Sequence, residues 1–94
     1  MKFFVIDKRG SEKLEVVIRM PKLGDTVDSV LVLQWLASVG EALLPNTPLI
    51  RVETDKTEID VDAGVTGVLR EQLVKEGDDV ATGVPIANVQ QSSY

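Results

Sequence analysis

Residues 51–64, "RVETDKTEIDVDAG", set one lysine among five acids: Glu53, Asp55, Glu58, Asp60 and Asp62 all fall within six residues of Lys56. Opposite charges favour the protonated ammonium. A nucleophilic or Schiff-base lysine needs the reverse, desolvation or neighbouring cations that lower its pKa. Lys56 is therefore a poor catalyst, but a suitable acceptor for an acyl group brought preactivated by a separate enzyme with its own base. The surrounding acids would steer basic clefts toward it. The plain alternative is a solvated charged hairpin with no further role, which is what most charge runs are.

Other chemistry is sparse. The 94 residues contain no histidine and no cysteine, which removes the commonest general base, thiolate metal sites, disulfides and every Ser-His or Cys-His nucleophile. Thr26 and Ser29 are then loop hydroxyls without a base, and the composition argues against an enzyme acting alone. "DVDAG" offers a partial calcium-loop spacing, with Asp60, Asp62 and Glu71 at positions 1, 3 and 12. The glycine required at position 6 is Val65 and the flanks read as strands, so the match is accidental. Trp35, within "VLVLQWL", reads as core or sheet packing. Fifteen acids against ten bases give a net charge of −5, which argues against nucleic acid. No apolar run reaches the length of a membrane span. The cluster Phe3–Ile6 is too short for a signal-peptide core, and Asp7, Glu12 and Glu15 argue against a transit peptide; the expected location is cytoplasmic.

The elements that must hold the lysine follow from periodicity. Ile50, Val52 and Thr54 share one parity; past Asp55-Lys56 the apolar parity switches to Thr57, Ile59, Val61 and Ala63. Two half-buried strands joined by a two-residue turn give that switch, although such turns usually want glycine. Residues 30–52 overlay 67–89 without a gap at an offset of 37, matching Gly40 with Gly77, Leu36 with Leu73, Pro48 with Pro85 and Val52 with Val89. Strands are expected near 15–19, 29–37, 49–54, 57–62, 66–74 and 85–89, with short steps at 42–44 and 79–81, and no helix of useful length. Two similar all-β halves, neither able to cover its own apolar face, should interlock as a flattened barrel or sandwich with pseudo-two-fold symmetry. The lysine turn is the link between them. Residues 1–14 are expected to be a flexible or weakly docked extension, or else an edge strand, with the domain over 15–90 and a tail over 91–94.

"ETDKT" (53–57) resembles the lipoyl-attachment motif of the acyltransferase component of 2-oxo acid dehydrogenase complexes. "MPKLGDTV" (20–27) resembles that family's opening and "GVLREQLVKEGDDV" (67–80) its second half. The resemblance implies a lipoyl domain of two four-stranded antiparallel sheets, with lipoate joined by an amide to Lys56 by a lipoate ligase or lipoyl transferase. It also implies a swinging arm that accepts an acyl group from a thiamine-diphosphate decarboxylase (E1). The arm delivers it to coenzyme A at the acyltransferase core (E2) and is reoxidised by dihydrolipoyl dehydrogenase (E3). Glu53, Thr54, Asp55, Thr57 and Glu58 around the lysine, and Leu23, Gly24, Asp25 and Thr26 in the opening loop, would be read by the ligase or partner. The isolated domain would be monomeric.

Departures from the family are local. Asp62 and Gly64 stand where relatives often carry prolines, and Gly64 is expected to loosen that crossover. Asp28 and Ser29 replace a common acid-glycine pair in a loop that helps a cognate decarboxylase recognise the domain. The chain ends at "QQSSY" without an alanine-proline linker or catalytic histidine, as an excised domain or a freestanding carrier would. Biotin carriers share the fold but set their lysine between two methionines, whereas Lys56 lies between Asp55 and Thr57. A glycine-cleavage-type lipoyl carrier and an unmodified interaction domain are the remaining alternatives.

Overall fold

The alternating segments become strands in the computed structural model, which describes residues 2–6, 10, 12–55 and 57–91. In chain order they are β1 (Lys2–Ile6), β2 (Glu12–Arg19), β3 (Ser29–Trp35), β4 (Ala42–Leu43), β5 (Pro48–Thr54), β6 (Thr57–Asp62), β7 (Gly67–Gln72), β8 (Asp79–Ala81) and β9 (Pro85–Gln91). Among the described residues there is no helix, and so none long and apolar enough to cross a membrane. The strands form two antiparallel sheets, ordered β1-β2-β9-β7-β4 and β6-β5-β3-β8. The result is an open sandwich and not a closed barrel, and β1 makes one sheet five-stranded where four strands were expected.

Without β1 the two sheets have matching strand orders: the 37-residue offset relates β3 to β7, β5 to β9 and β4 to β8, while β6 and β2 hold the same place beside β5 and β9. Replacing β6, β5, β3 and β8 by their equivalents gives β2, β9, β7 and β4 in the same order. The match extends to detail. The register of β3 against β5 slips between Val32 and Gln34, and that of β7 against β9 slips at the equivalent Leu69 and Glu71. Gly40 donates its N–H to Leu69 O (2.7 Å) while Gly77 donates to Val32 O (2.8 Å). Both glycines hold a left-handed φ, 95° and 94°, where a Cβ would be strained. Trp35 Nε1 donates to Val74 O (2.9 Å), and at the equivalent place Gln72 Nε2 donates to Ala37 O (3.0 Å). Each long strand thus ends in a side chain bonded to the other half's backbone, so Trp35 is a half-buried inter-half tie as well as a packing group.

The interlock comes from the short strands. β4, from the first half, pairs with β7, and β8, from the second half, pairs with β3, so neither sheet is complete without the other half. Between the sheets Leu49, Ile50, Val52, Leu69, Ile86, Ala87 and Val89 are fully buried, with Met20, Val32 and Leu43 at 1% exposure. Burying each of the larger aliphatic side chains contributes about 1.5–3 kcal/mol. Gly64 does not loosen the crossover after β6. It takes φ 72° and its N–H donates to Pro45 O at 2.9 Å, so the glycine supplies a turn that proline could not.

Candidate functional site

β5 and β6 run antiparallel with Arg51 opposite Asp60, Val52 opposite Ile59, Glu53 opposite Glu58 and Thr54 opposite Thr57. Pairing of Thr54 with Thr57 leaves two residues to turn the chain. Lys56 lies outside the described residues. Its neighbour Asp55 takes φ 42° and is the one non-glycine residue with positive φ among those described. Aspartate is one of the few side chains that tolerates this region, so Asp55 takes a backbone state that such turns usually give to glycine. The rigid base of the hairpin is apolar inside: Val52 and Ile50 are fully buried and Thr54 is 9% exposed. Asp55, Thr57 and Glu58 are exposed. The described residues on either side of position 56 thus face solvent, while the core lies below the turn.

The electrostatics of the hairpin are uneven. Glu53 and Glu58 face each other directly, a like-charge pair that weakens a ladder. Two residues further from the turn, Arg51 Nε donates to Asp60 Oδ1 at 2.8 Å and Nη2 to Oδ2 at 3.3 Å, a bidentate cross-strand pair. That hydrogen bond, with the charge of Arg51, holds the Asp60 carboxyl below its ordinary pKa; the same bond raises Arg51. A carboxyl whose pKa is lowered on folding stabilises above its unfolded pKa and loses that contribution as pH falls through the folded one. Asp60→Ala should therefore lower stability slightly near pH 7, since the pair is solvent-exposed. The gap between variant and wild type should close below the ordinary carboxylate value of about 3.9. Urea melts of both proteins across acid pH measure it, and a gap independent of pH would refute the coupling.

The opening loop reaches the same end of the molecule. Thr26, Val27, Asp28 and Ser29 line a groove of about 420 Å³ together with Thr54 and Asp55. Val27 N–H donates to Gly24 O (3.2 Å) to close the loop, and Thr82 N–H donates to Asp28 O (2.9 Å) to anchor it to the neighbouring β8–β9 turn. Of the candidate recognition residues, Thr26, Thr54 and Asp55 share this groove, and Asp25 is exposed. Leu23 packs against the core, and Gly24 serves the loop's own hydrogen bond. Sequence reasoning passed over Val27 as a groove residue and missed the Arg51–Asp60 pair. The pair was within reach, because a two-residue turn at 55–56 fixes 51 opposite 60. The calcium-like spacing has no common site: Asp60 is bound to Arg51, while Glu71, in the other sheet, accepts from Asn88 Nδ2 at 2.8 Å.

A two-sheet sandwich of interlocked, pseudo-symmetric halves joined through a two-residue turn between Thr54 and Thr57 defines a biotinyl- and lipoyl-attachment domain. A family model described as biotin-requiring enzyme, covering biotin and lipoyl domains, matches residues 16–89, and the chain belongs to that family. The chain is 38% identical over 73 residues to the dihydrolipoyllysine-residue succinyltransferase component of the 2-oxoglutarate dehydrogenase complex of Bartonella vinsonii subsp. berkhoffii, covering 78% of this chain and 18% of that protein. It is 36% identical over 72 residues to the dihydrolipoyllysine-residue acetyltransferase component of the pyruvate dehydrogenase complex of Corynebacterium glutamicum, covering 77% and 11%. The chain thus spans less than a fifth of these relatives. The solution structure of the lipoyl domain of the Azotobacter vinelandii 2-oxoglutarate dehydrogenase complex superposes with a TM-score of 0.65 at 27% identity, over 83% of this chain and 99% of that one.

Proposed function

We propose that this chain is a non-catalytic lipoyl carrier, with lipoate joined by an amide to Lys56 by a lipoate ligase or lipoyl transferase. The observation that carries the reading is the closure of β5 and β6 by two residues, one a left-handed aspartate, at the link between two interlocked halves. A rigid hairpin with exposed flanks presents one amine to a loading enzyme and then to several partners. Held there, lipoate would supply a dithiolane for acyl transfer between a thiamine-diphosphate 2-oxo acid decarboxylase and coenzyme A at an acyltransferase core, with dihydrolipoyl dehydrogenase as the partner that would restore its disulfide. The chain's own residues position and identify. Asp55 sets the turn; Glu53, Thr54, Thr57 and Glu58 form its base; and Thr26 with Asp25, Leu23 and Gly24 build the adjoining loop. Tethering such a domain to its partners raises the effective concentration of the carried group, while the cofactor carries the chemistry. The complex served is a cytoplasmic 2-oxo acid dehydrogenase.

Lipoate is favoured over biotin because Asp55 and Thr57 flank the lysine, while Met20 is buried in the core at 1% exposure. Incubation with a lipoate ligase, lipoate and ATP should add one lipoyl group, read by intact mass and located by peptide mapping at Lys56. A biotin ligase in parallel should add nothing. A chain that gains no lipoyl mass beside a control domain that does would overturn the reading.

A further inference from the structure

β1 lies outside the region shared with the family, whose model begins at residue 16, and it changes the edge of the larger sheet. It pairs with β2 from Lys2 opposite Val16 to Ile6 opposite Glu12 without a register slip. Among the described residues no strand pairs with its other side, which presents a row of backbone donors and acceptors. Natural edges of this kind are usually blunted by proline, a bulge or inward-pointing charge. This one, "KFFVI", has no proline, a continuous register and one charge, at its end. Phe4 and Ile6 are 66% and 67% exposed. Phe4 stands opposite Leu14, and Lys2 opposite the buried Val16, so by strand parity Phe4 and Ile6 belong to the core-side face of the sheet. That face runs on past the end of its cover.

We propose that β1 is a self-association edge, pairing antiparallel with β1 of a second copy about a two-fold axis at Phe4. A two-fold perpendicular to a sheet requires paired residues to share parity. The five-residue strand meets this with Phe4 opposite Phe4, Phe3 opposite Val5 and Lys2 opposite Ile6. In this register the two Lys2 residues stand at opposite ends of the new ribbon, so no like charges face each other. The two Phe4 rings and both Ile6 side chains join one apolar row with the Leu14 residues. The strand is its own complement, which is the reason to name a second copy as the occupant. The 37-residue offset takes Thr54 to Gln91, and their cross-strand partners Thr57 and Leu14 hold the same place on the neighbouring strands of the two sheets. The lysine turn and the β1 edge therefore occupy equivalent ends of different sheets. Pairing through β1 leaves both lysine hairpins uncovered and replaces the expected monomer with a carrier bearing two attachment sites.

Sedimentation of the whole chain from micromolar to millimolar concentration tests this without reference to lipoylation. Wild type should show a reversible monomer–dimer equilibrium. Phe4→Lys and Phe4→Glu, each placing like charges opposite each other at the axis, should weaken it at least about tenfold. At concentrations where wild type is monomeric, their thermal melts should match it, because Phe4 is exposed. An equimolar mixture of the two variants should associate again, with Lys opposite Glu. A wild type that stays monomeric throughout, variants that associate as wild type does, or a mixture that stays apart would each overturn the proposal.

Discussion

Gly67→Ala is expected to destabilise the fold by about 2–3 kcal/mol, read as a drop in Tm of about 10 °C or more. Ordinarily this change gains about 0.4–1 kcal/mol by restricting the unfolded chain, so the sign is set by space. A Cβ at Gly67 would lie 2.5 Å from Gln90 O and 2.6 Å from Val89 Cγ1, with Gln90 C at 3.2 Å. Neither neighbour yields easily. β9 is held between β2 and β7, so shifting its backbone disturbs two ladders, and Val89 is fully buried. The equivalent position in the other half is Val30, which carries a whole side chain into the core at 3% exposure. The halves are therefore not interchangeable here, and Val30→Ala should destabilise for the opposite reason, a cavity in place of an overlap. A Gly67→Ala protein with wild-type Tm would mean that β7 and β9 approach less closely than described.

What could be read from the sequence follows what local rules encode. The 37-residue repeat, the parity switch at Asp55-Lys56 and the buried faces of β5 and β6 were all legible, because alternation over six or seven residues records which side is dry. The exchange of β4 and β8 between halves was not, since two or three residues carry no period. The segment Lys2–Ile6 read as an extension, with an edge strand as the alternative, because its apolar run borders charges. Its strand state depends on β2 beside it, a tertiary fact that local pattern does not hold. At the site, Lys56 and its acids were legible as types and spacing. The left-handed state of Asp55 was hidden, because its usual marker, glycine, is absent. The groove joining Thr26 to Thr54 was hidden too, because it brings together residues about thirty apart along the chain.

Lys56→Ala should abolish lipoylation while leaving stability within about 0.5 kcal/mol of wild type, because the residues around the turn are exposed and the hairpin is held by the pairs below it. The sharper test concerns Asp55, whose charge and backbone conformation could both serve the ligase. Asp55→Asn removes the charge and tolerates a left-handed φ; Asp55→Gly removes the side chain and prefers that region as much as any other. Asp55→Val also removes the charge, but a β-branched residue resists φ near 42° at a cost of about 1–3 kcal/mol. If the turn's geometry places the amine, the asparagine and glycine variants should be modified at near wild-type rates. The valine variant should be at least about tenfold slower, since small misplacements of a reacting group cost rates of that order or more. If charge were the determinant, all three would slow together. Initial rates of mass gain with a purified ligase distinguish the two, with the hairpin's integrity checked by amide exchange at Val52 and Ile59, which face each other below the turn. A valine variant modified as fast as wild type would remove Asp55 as the residue that positions the amine, and Lys56 would then owe its presentation to the strand pairing alone.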